Sequence, residues 1–524
     1  MKLSKTSLFH PFLFALYPII HLYSHNFIES PFFDALSPMI ITLVITCIFL
    51  IITKLVVKDW TKTGFIISLL LILSFSYGHI YELLNSSVSE NFEIGRHRYL
   101  MVIFFATFVI GTILILRKNI NNHNLTVILN AISVTLILIT IPNFVIDNTS
   151  SNLEIQTSQE IHNTIYPSTT EINFELNNLE ELNPSIKPDL YYILLDGYGG
   201  TMRMKEDLNF DNYEFLSELT SRGFFAPDIS HSNYPSSKWQ MTTVFSMNYL
   251  PPITSGQTDL DYHNLLFEIE KNNEVMRNFD YLNYDIINFQ TNGFIKQKYT
   301  YGDHTFCEQE ESSQSKFEKT LLRTTILRYL ANQIVLNADR QSILCGFEKI
   351  SSQGEKFENP VFVYMHLRLP HPPHIFGPNG EFVIGSKALT EEGSFVDEGK
   401  YVDSIKFANK KTIQVVDDIL KHNKKSIIII QSDHGYDFGI DYINPSSDVL
   451  KQRFSNLNAI YLPDGKQDVF YEGITPVNTF RIIFNQYFGT SYQILDDKMF
   501  YHPYSGDLIH KQPIFKDITE TILN

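Results

Sequence analysis

The chain has 524 residues, a formal net charge of −16 and three cysteines. That length holds more than one domain, the acidic balance speaks against a nucleic-acid partner, and no CxxC or Cys/His cluster suggests structural zinc. The charge is uneven: residues 1–150 carry nine Lys or Arg and seven Asp or Glu, so the remainder holds about −18 and could concentrate divalent cations.

Apolar stretches fall near residues 9–24, 38–57, 64–84, 99–116 and 126–146. A spanning helix needs about 20 largely apolar residues. The second to fifth stretches qualify, whereas the first is short and holds His10, His21 and His25 near its ends. No small-residue cleavage pattern follows it, so a signal peptide is a poor reading. Residues 1–148 therefore read as a membrane domain of about five transmembrane helices. Lys2 and Lys5, then Lys54, Lys58 and Lys62, then Arg117 and Lys118 occupy alternate ends of these stretches and mark the cytoplasmic side. Arg96 and Arg98 fall on the other side, beside Glu90 and Glu93. An odd number of spans with the N-terminus inside gives a multi-pass protein of the cell membrane. Everything after residue 148 is then extracytoplasmic.

Residues 149–186, rich in Asn, Ser, Thr and Glu with Pro167 and Pro184, read as a polar linker. From 187 to 524 strand-like and helix-like patterns alternate. Strands are predicted near 189–195, 283–288, 360–366, 425–431 and 457–462. Helices are predicted near 211–221, 238–247, 262–278, 314–335, 398–421 and 476–488, the last with Thr475 as hydroxyl cap and Pro476 at its first position. This is the pattern of one large α/β domain with a mostly parallel sheet. Cys47 lies in the second apolar stretch. Cys307 and Cys345 pair if their compartment is oxidising, and two separate thiols fit the sequence equally well.

Two predicted strands end in chemistry. Leu190-Tyr191-Tyr192-Ile193-Leu194-Leu195 stops at Asp196-Gly197, and Ile427-Ile428-Ile429-Ile430-Gln431-Ser432 stops at Asp433-His434-Gly435. Continuous apolar runs read as strands buried on both faces, and ligands bind beyond the carboxyl ends of such strands. Two carboxylates and an imidazole make a ligand set for a divalent metal, manganese or zinc. A strand-terminal aspartate is also a common turn residue; finding both segments in one chain favours the metal.

Three further segments carry possible chemistry. After Pro235, Ser236 or Ser237 stands at a helix N-terminus, where an anion is favoured, although from this segment alone a plain cap is the better reading of either. Pro370-His371-Pro372-Pro373-His374 is a stiffened loop whose imidazoles suit a substrate phosphate, a metal or a simple surface turn. Arg453 suits an anionic ligand or a structural role. His366, within a strand, reads as a core histidine.

Asp196-Gly197-Tyr198-Gly199, Ser232-Asn233-Tyr234-Pro235, Pro370-His371-Pro372-Pro373, Ser432-Asp433-His434-Gly435 and Thr475-Pro476-Val477-Asn478-Thr479-Phe480-Arg481 occur in this order. In order and spacing they resemble the sulfatase-like hydrolase/transferase group of the alkaline phosphatase superfamily, whose relatives include lipoteichoic acid synthases and phosphoethanolamine transferases. The resemblance implies an alkaline-phosphatase-like domain with a metal held by Asp196, Ser237, Asp433 and His434. It makes Ser237 the nucleophile, with Ser236 its close competitor, and turns His371 to the substrate phosphate. It implies transfer of a phosphoglycerol- or phosphoethanolamine-type group from a membrane lipid to a cell-surface glycan or lipid acceptor. A phosphodiesterase or sulfate-ester hydrolase of the same fold is the alternative, and a non-catalytic binding protein the third reading. Two departures matter. Lys238-Trp239-Gln240-Met241 lacks the proline and arginine that formylglycine formation requires. Second, one metal is the better reading, although His371 or His374 could hold a second and His502 is a weak candidate for the late histidine of two-metal relatives.

Overall fold

The computed structural model describes residues 7–26, 32–87, 97–117, 123–140, 186–250, 259–291, 299–308, 316–383, 397–436, 438, 443–502 and 515–524. They fall into two compact units: Met1–Thr170 with Glu311–Val335, and Glu171–Glu310 with Leu336–Asn524.

Unit 1 is helical: α1 (His10–Asn26), α2 (Phe32–Val57), α3 (Trp60–Ser87), α4 (His97–Arg117) and α5 (His123–Thr140). The last four are long and apolar enough to cross a membrane. α1, with 17 residues and Pro18 inside it, is shorter. α2 is rich in Ile, Val and Thr, which weaken a helix in water. In lipid the backbone has no other donor or acceptor, so helix is the form such a segment takes. The start of α1 is fixed to α5 by Asn130, whose Oδ1 accepts from the His10 N–H at 2.9 Å and whose amide donates to the Ser7 carbonyl at 2.8 Å.

From residue 186 onward the elements are β1 (Leu190–Leu195), α6 (Thr201–Leu208), α7 (Tyr213–Ser221), β2 (Phe224–Phe225), α8 (Ser237–Ser246), α9 (Asp259–Lys271), α10 (Glu274–Tyr281), β3 (Asp285–Phe289) and β4 (His304–Phe306). Then come α11 (Lys316–Thr324), α12 (Arg328–Lys349), β5 (Val361–Leu367), α13 (Glu398–His422), β6 (Ile427–Gln431), α14 (Ser447–Phe454), β7 (Asn458–Tyr461) and α15 (Thr479–Phe488). The sheet order is β2-β7-β6-β1-β5-β3-β4. β1 lies parallel between β5 and β6, β3 is parallel to β5 and β4, and β7 is antiparallel to β6. β1, β5 and β6 are buried along their whole length. Alternate residues feed two apolar layers: Tyr191, Ile193 and Leu195 join Tyr401, Ile405 and Ile419 of α13. Leu190, Tyr192 and Leu194 join Phe245 of α8, Phe279 of α10 and Phe480 of α15. Helices on both faces are what continuous apolar strands require.

The five predicted strands are β1, β3, β5, β6 and β7. The predicted 262–278 helix is two, α9 and α10, because the Asn273 side chain accepts from the Met276 N–H at 2.9 Å and caps a new helix. The predicted 314–335 helix is also two, α11 and α12, and 311–335 belongs to unit 1 although it lies inside the stretch read as a single exterior domain. Thr475 does not cap its helix with its hydroxyl, which donates instead to Asp497 Oδ1 at 2.7 Å. The linker read at 149–186 lies, apart from Ile186, outside the described residues. Cys307 and Cys345 form a disulfide.

Candidate functional site

The parallel register brings the carboxyl ends of β1, β5 and β6 to one edge. Asp196 follows β1 in a turn where Gly197 has φ +72°, the left-handed region that glycine enters without strain. The Asp196 N–H donates to the Leu367 carbonyl at the end of β5, and its own carbonyl accepts from the His371 N–H at 2.9 Å. Tyr401 of α13 holds the turn from outside, donating to the Gly197 carbonyl at 3.0 Å and accepting from the Gly199 N–H at 2.9 Å. Tyr401→Phe would leave both backbone groups buried and short of a partner, at roughly 1–3 kcal/mol each. A lowered thermal midpoint of the purified protein is the expected result; an unchanged midpoint would show that the turn does not depend on this hydroxyl.

After β6, Asp433 Oδ1 accepts from the Gly197 and His434 N–H groups, each at 3.0 Å, which aims Oδ2 inward. His434 donates from Nδ1 to the Gly435 carbonyl at 2.8 Å, so Nε2 carries the lone pair. Gly435 permits the tight return of the chain: a Cβ there would stand 2.1 Å from the Gln452 carbonyl oxygen.

Three ligand atoms, one each from Asp196, Asp433 and His434, lie within 4.8 Å of one another. His434 Nε2 is 3.8 Å from Asp196 Oδ1 and 3.3 Å from Asp433 Oδ2. Those two carboxylate oxygens are buried without a hydrogen-bond partner. Buried carboxylate oxygens without a partner, converging with an imidazole nitrogen, are groups that a cation would satisfy, so the residues fit a divalent metal. Burial opposes ionisation of Asp196, but the His371, His366 and His434 imidazoles around it outweigh burial and hold its carboxyl below the usual range. Burial, then Arg453, lowers the pKa of His434.

Ser237 is the first residue of α8 and Ser236 its N-cap, with no side-chain cap bond. Ser237 Oγ stands 3.2 Å from His434 Nε2. The structure therefore gathers all four residues assigned to the metal. His371 lies beside them, its ring 6.2 Å from that of His434. Its Nδ1 donates to the Pro372 carbonyl at 2.7 Å, and burial pushes its pKa down to about 4.

Two residues enter the site that the sequence reading left structural or open. His366 is buried as expected, yet it is not a plain core histidine: Nε2 lies 3.4 Å from Asp196 Oδ2. It pairs with Leu194 in the β1–β5 register, a neighbour relation that periodicity does not reveal. Arg453 ties the turn before α8 to the loop after β6. Its Nε donates to the Pro235 carbonyl at 2.7 Å and its Nη2 to His434 Nε2 at 3.1 Å. His502 stacks edge-on against Trp239 at 6.0 Å and against Phe515.

The sulfatase family model matches residues 250–490, a stretch that includes His371, Asp433, His434 and Arg453 but not Asp196 or Ser237. Among solved structures, the C-terminal periplasmic domain of EcEptC from Escherichia coli, in complex with Zn, is 9% identical with a TM-score of 0.40, covering 64% of this chain and 94% of that one. The integral membrane lipooligosaccharide phosphoethanolamine transferase A (EptA) from Neisseria meningitidis is 10% identical with a TM-score of 0.36, covering 90% and 94%. The phosphonate monoester hydrolase of Agrobacterium radiobacter is 10% identical with a TM-score of 0.37, covering 64% and 91%. No curated protein matches the chain. Residues 250–490 of the chain thus match the sulfatase family model.

Proposed function

We propose that the protein transfers a phospho-group of the phosphoglycerol or phosphoethanolamine type from a membrane lipid to a cell-surface acceptor through a covalent Ser237 intermediate. The observation that carries this reading is the Ser237 hydroxyl at a helix N-terminus, 3.2 Å from His434 Nε2 and beside two orphaned carboxylate oxygens. A divalent metal, zinc or manganese, held by Asp196, Asp433, His434 and the Ser237 oxygen would lower the pKa of that hydroxyl and polarise a phosphate oxygen. Ser237 Oγ attacks phosphorus, the lipid alcohol leaves with the serine proton, and a serine phosphodiester carrying the head group remains. The amides at the start of α8 face the anionic group. Neutral His371 stands on the Asp196 side, where Nε2 can take the proton of the incoming alcohol. Attack by that alcohol releases Ser237 and completes the transfer; attack by water gives hydrolysis.

The membrane helices support a lipid donor, because they keep the catalytic unit in the same chain as a bilayer anchor. The basic ends of α2 and α4 support a cytoplasmic N-terminus and an extracytoplasmic catalytic unit. A reporter fused after Asn524 that works only when exported should be active, and activity of a cytoplasm-only reporter there would overturn the five-span topology. The sulfatase match favours hydrolysis as the second reading. Intact-mass analysis after incubation with a panel of phospholipids separates the two. Transfer predicts a head-group phosphate mass on Ser237 that is discharged by an added alcohol acceptor faster than by water. Discharge by water alone would assign a hydrolase.

A further inference from the structure

Between β4 and β5 the chain leaves unit 2 after Glu310, joins unit 1, and returns at Leu336. On α11, Phe317 and Leu321 are one turn apart and buried with Ile19 of α1 and Ala35 of α2. Ile326 packs beside Tyr77 of α3 and Leu100 and Phe104 of α4, and its N–H donates to the Ser74 carbonyl at 2.9 Å. Backbone meets backbone at Gly78, where a Cβ would stand 2.3 Å from the Arg323 carbonyl oxygen. Arg328 pairs with Glu82 at 2.8 Å, and its guanidinium lies 4.9 Å from the centre of the Tyr81 ring. These partners occupy one end of the bundle: the later halves of α1 and α3 and the first parts of α2 and α4. Lys54, Lys58, Lys62 and Arg117 mark the opposite end.

The outward face of the same segment is apolar. Leu327, Leu330 and Ile334 are 48%, 59% and 62% exposed, and their spacing aligns them in one stripe along the first turns of α12. Tyr329 is exposed next to them, and Lys319 and Arg323 lie on the adjoining α11. An apolar stripe with aromatic and basic neighbours is the composition of an element lying in a membrane surface.

We infer that residues 316–335 form a limb, sent from the catalytic half of the chain, that lies in the lipid surface with Leu327, Leu330 and Ile334 against the acyl boundary. The occupant is lipid because the inner face of the limb is already used by the spanning helices. On the helices that the limb packs against, Phe33 of α2 and Val102 and Phe105 of α4, close in sequence to the contacts at Ala35, Leu100 and Phe104, are exposed and apolar as well. The Cys307–Cys345 disulfide joins the chain just before the limb departs to the chain just after it returns. The limb's contacts lie at the end of the bundle away from the basic residues. This inference rests on the membrane reading of unit 1 and is independent of the reaction.

The test uses the full chain in lipid nanodiscs, with Cys47→Ser to remove the free thiol. An environment-sensitive fluorophore is attached at Leu330→Cys, at Ile334→Cys or, as reference, at Lys410→Cys on α13. Lipids spin-labelled near the head group should quench the first two several-fold more than the reference, and more than lipids labelled deep in the chain do. Both limb positions are exposed on the protein surface, so labelling either leaves the packed face intact and the second serves if the first variant misfolds. Quenching at both sites no stronger than at Lys410→Cys would overturn the proposal. So would efficient crosslinking between Leu330→Cys positions of two copies, which would assign the stripe to self-association.

Discussion

Asp433→Ala is expected to empty the metal site and abolish turnover while the chain stays folded. Asp433 accepts from two backbone N–H groups through Oδ1 and presents Oδ2, buried without a partner, to the ligand cluster. Alanine removes both functions. Partners that merely orient a ligand cost about 10–100-fold in affinity or activity when lost, so loss of a ligand itself should cost at least ~100-fold in metal affinity. Metal content per chain, measured on protein purified without chelator, should fall from near one to near zero, and turnover with it. Asp433→Asn separates the roles, since its amide oxygen can still accept from Gly197 and His434. It should keep the thermal midpoint closer to that of the parent while still losing the metal. Unchanged metal stoichiometry in Asp433→Ala would refute the ligand assignment.

Ser237→Ala is expected to be as severe on turnover and far milder on structure. Removal of a single nucleophile costs roughly 10⁴–10⁶ in rate where the residues of a site act as a unit. No phosphoryl adduct should then form on any phospholipid tested. Ser236→Ala is the control. Ser236 is the N-cap of α8, yet its hydroxyl makes no cap bond, so its loss should stay below the ~1 kcal/mol usual for a cap and leave the adduct intact. Labelling at Ser236, or near-parental turnover by Ser237→Ala, would transfer the role. Ser237 should also carry its encoded mass in resting protein, because Lys238-Trp239-Gln240-Met241 lacks the proline and arginine of a formylglycine segment.

The legible parts of this structure are those where one physical cause dominates. β1 and β6 could be read because an uninterrupted apolar run must be covered on both faces, and such a strand sits in the middle of a sheet. Asp196, Asp433 and His434 followed, since polar groups at the ends of central strands meet at one edge. The membrane helices were legible for the same reason, being too long and too apolar for water. β2 and β4 were not, with two and three residues and no period to detect. α6 and α14 are short and largely polar, and their helicity comes from where they dock. His366 shows the boundary most clearly. Its burial could be foreseen, but its partner depends on β5 lying next to β1. The limb is similar: a helix could be predicted near 314–335, but not that it is two helices packed against α1 to α4.

The two central strands that supply the acids adjoin in space, but 236 positions separate Gly197 from Asp433. The intervening chain contributes α8, β5 and the limb, and between them loops whose lengths do not enter the ligand distances. Insertions and deletions there leave the reacting centre where the sheet puts it. Lineages carrying this scaffold can therefore change what reaches the site by editing loops, while substitutions at Gly197 or Gly435 disturb the turns that hold the acids. Comparing natural variants of this chain should show length changes crowded into the loops and almost none within β1, β6 and the turns that follow them.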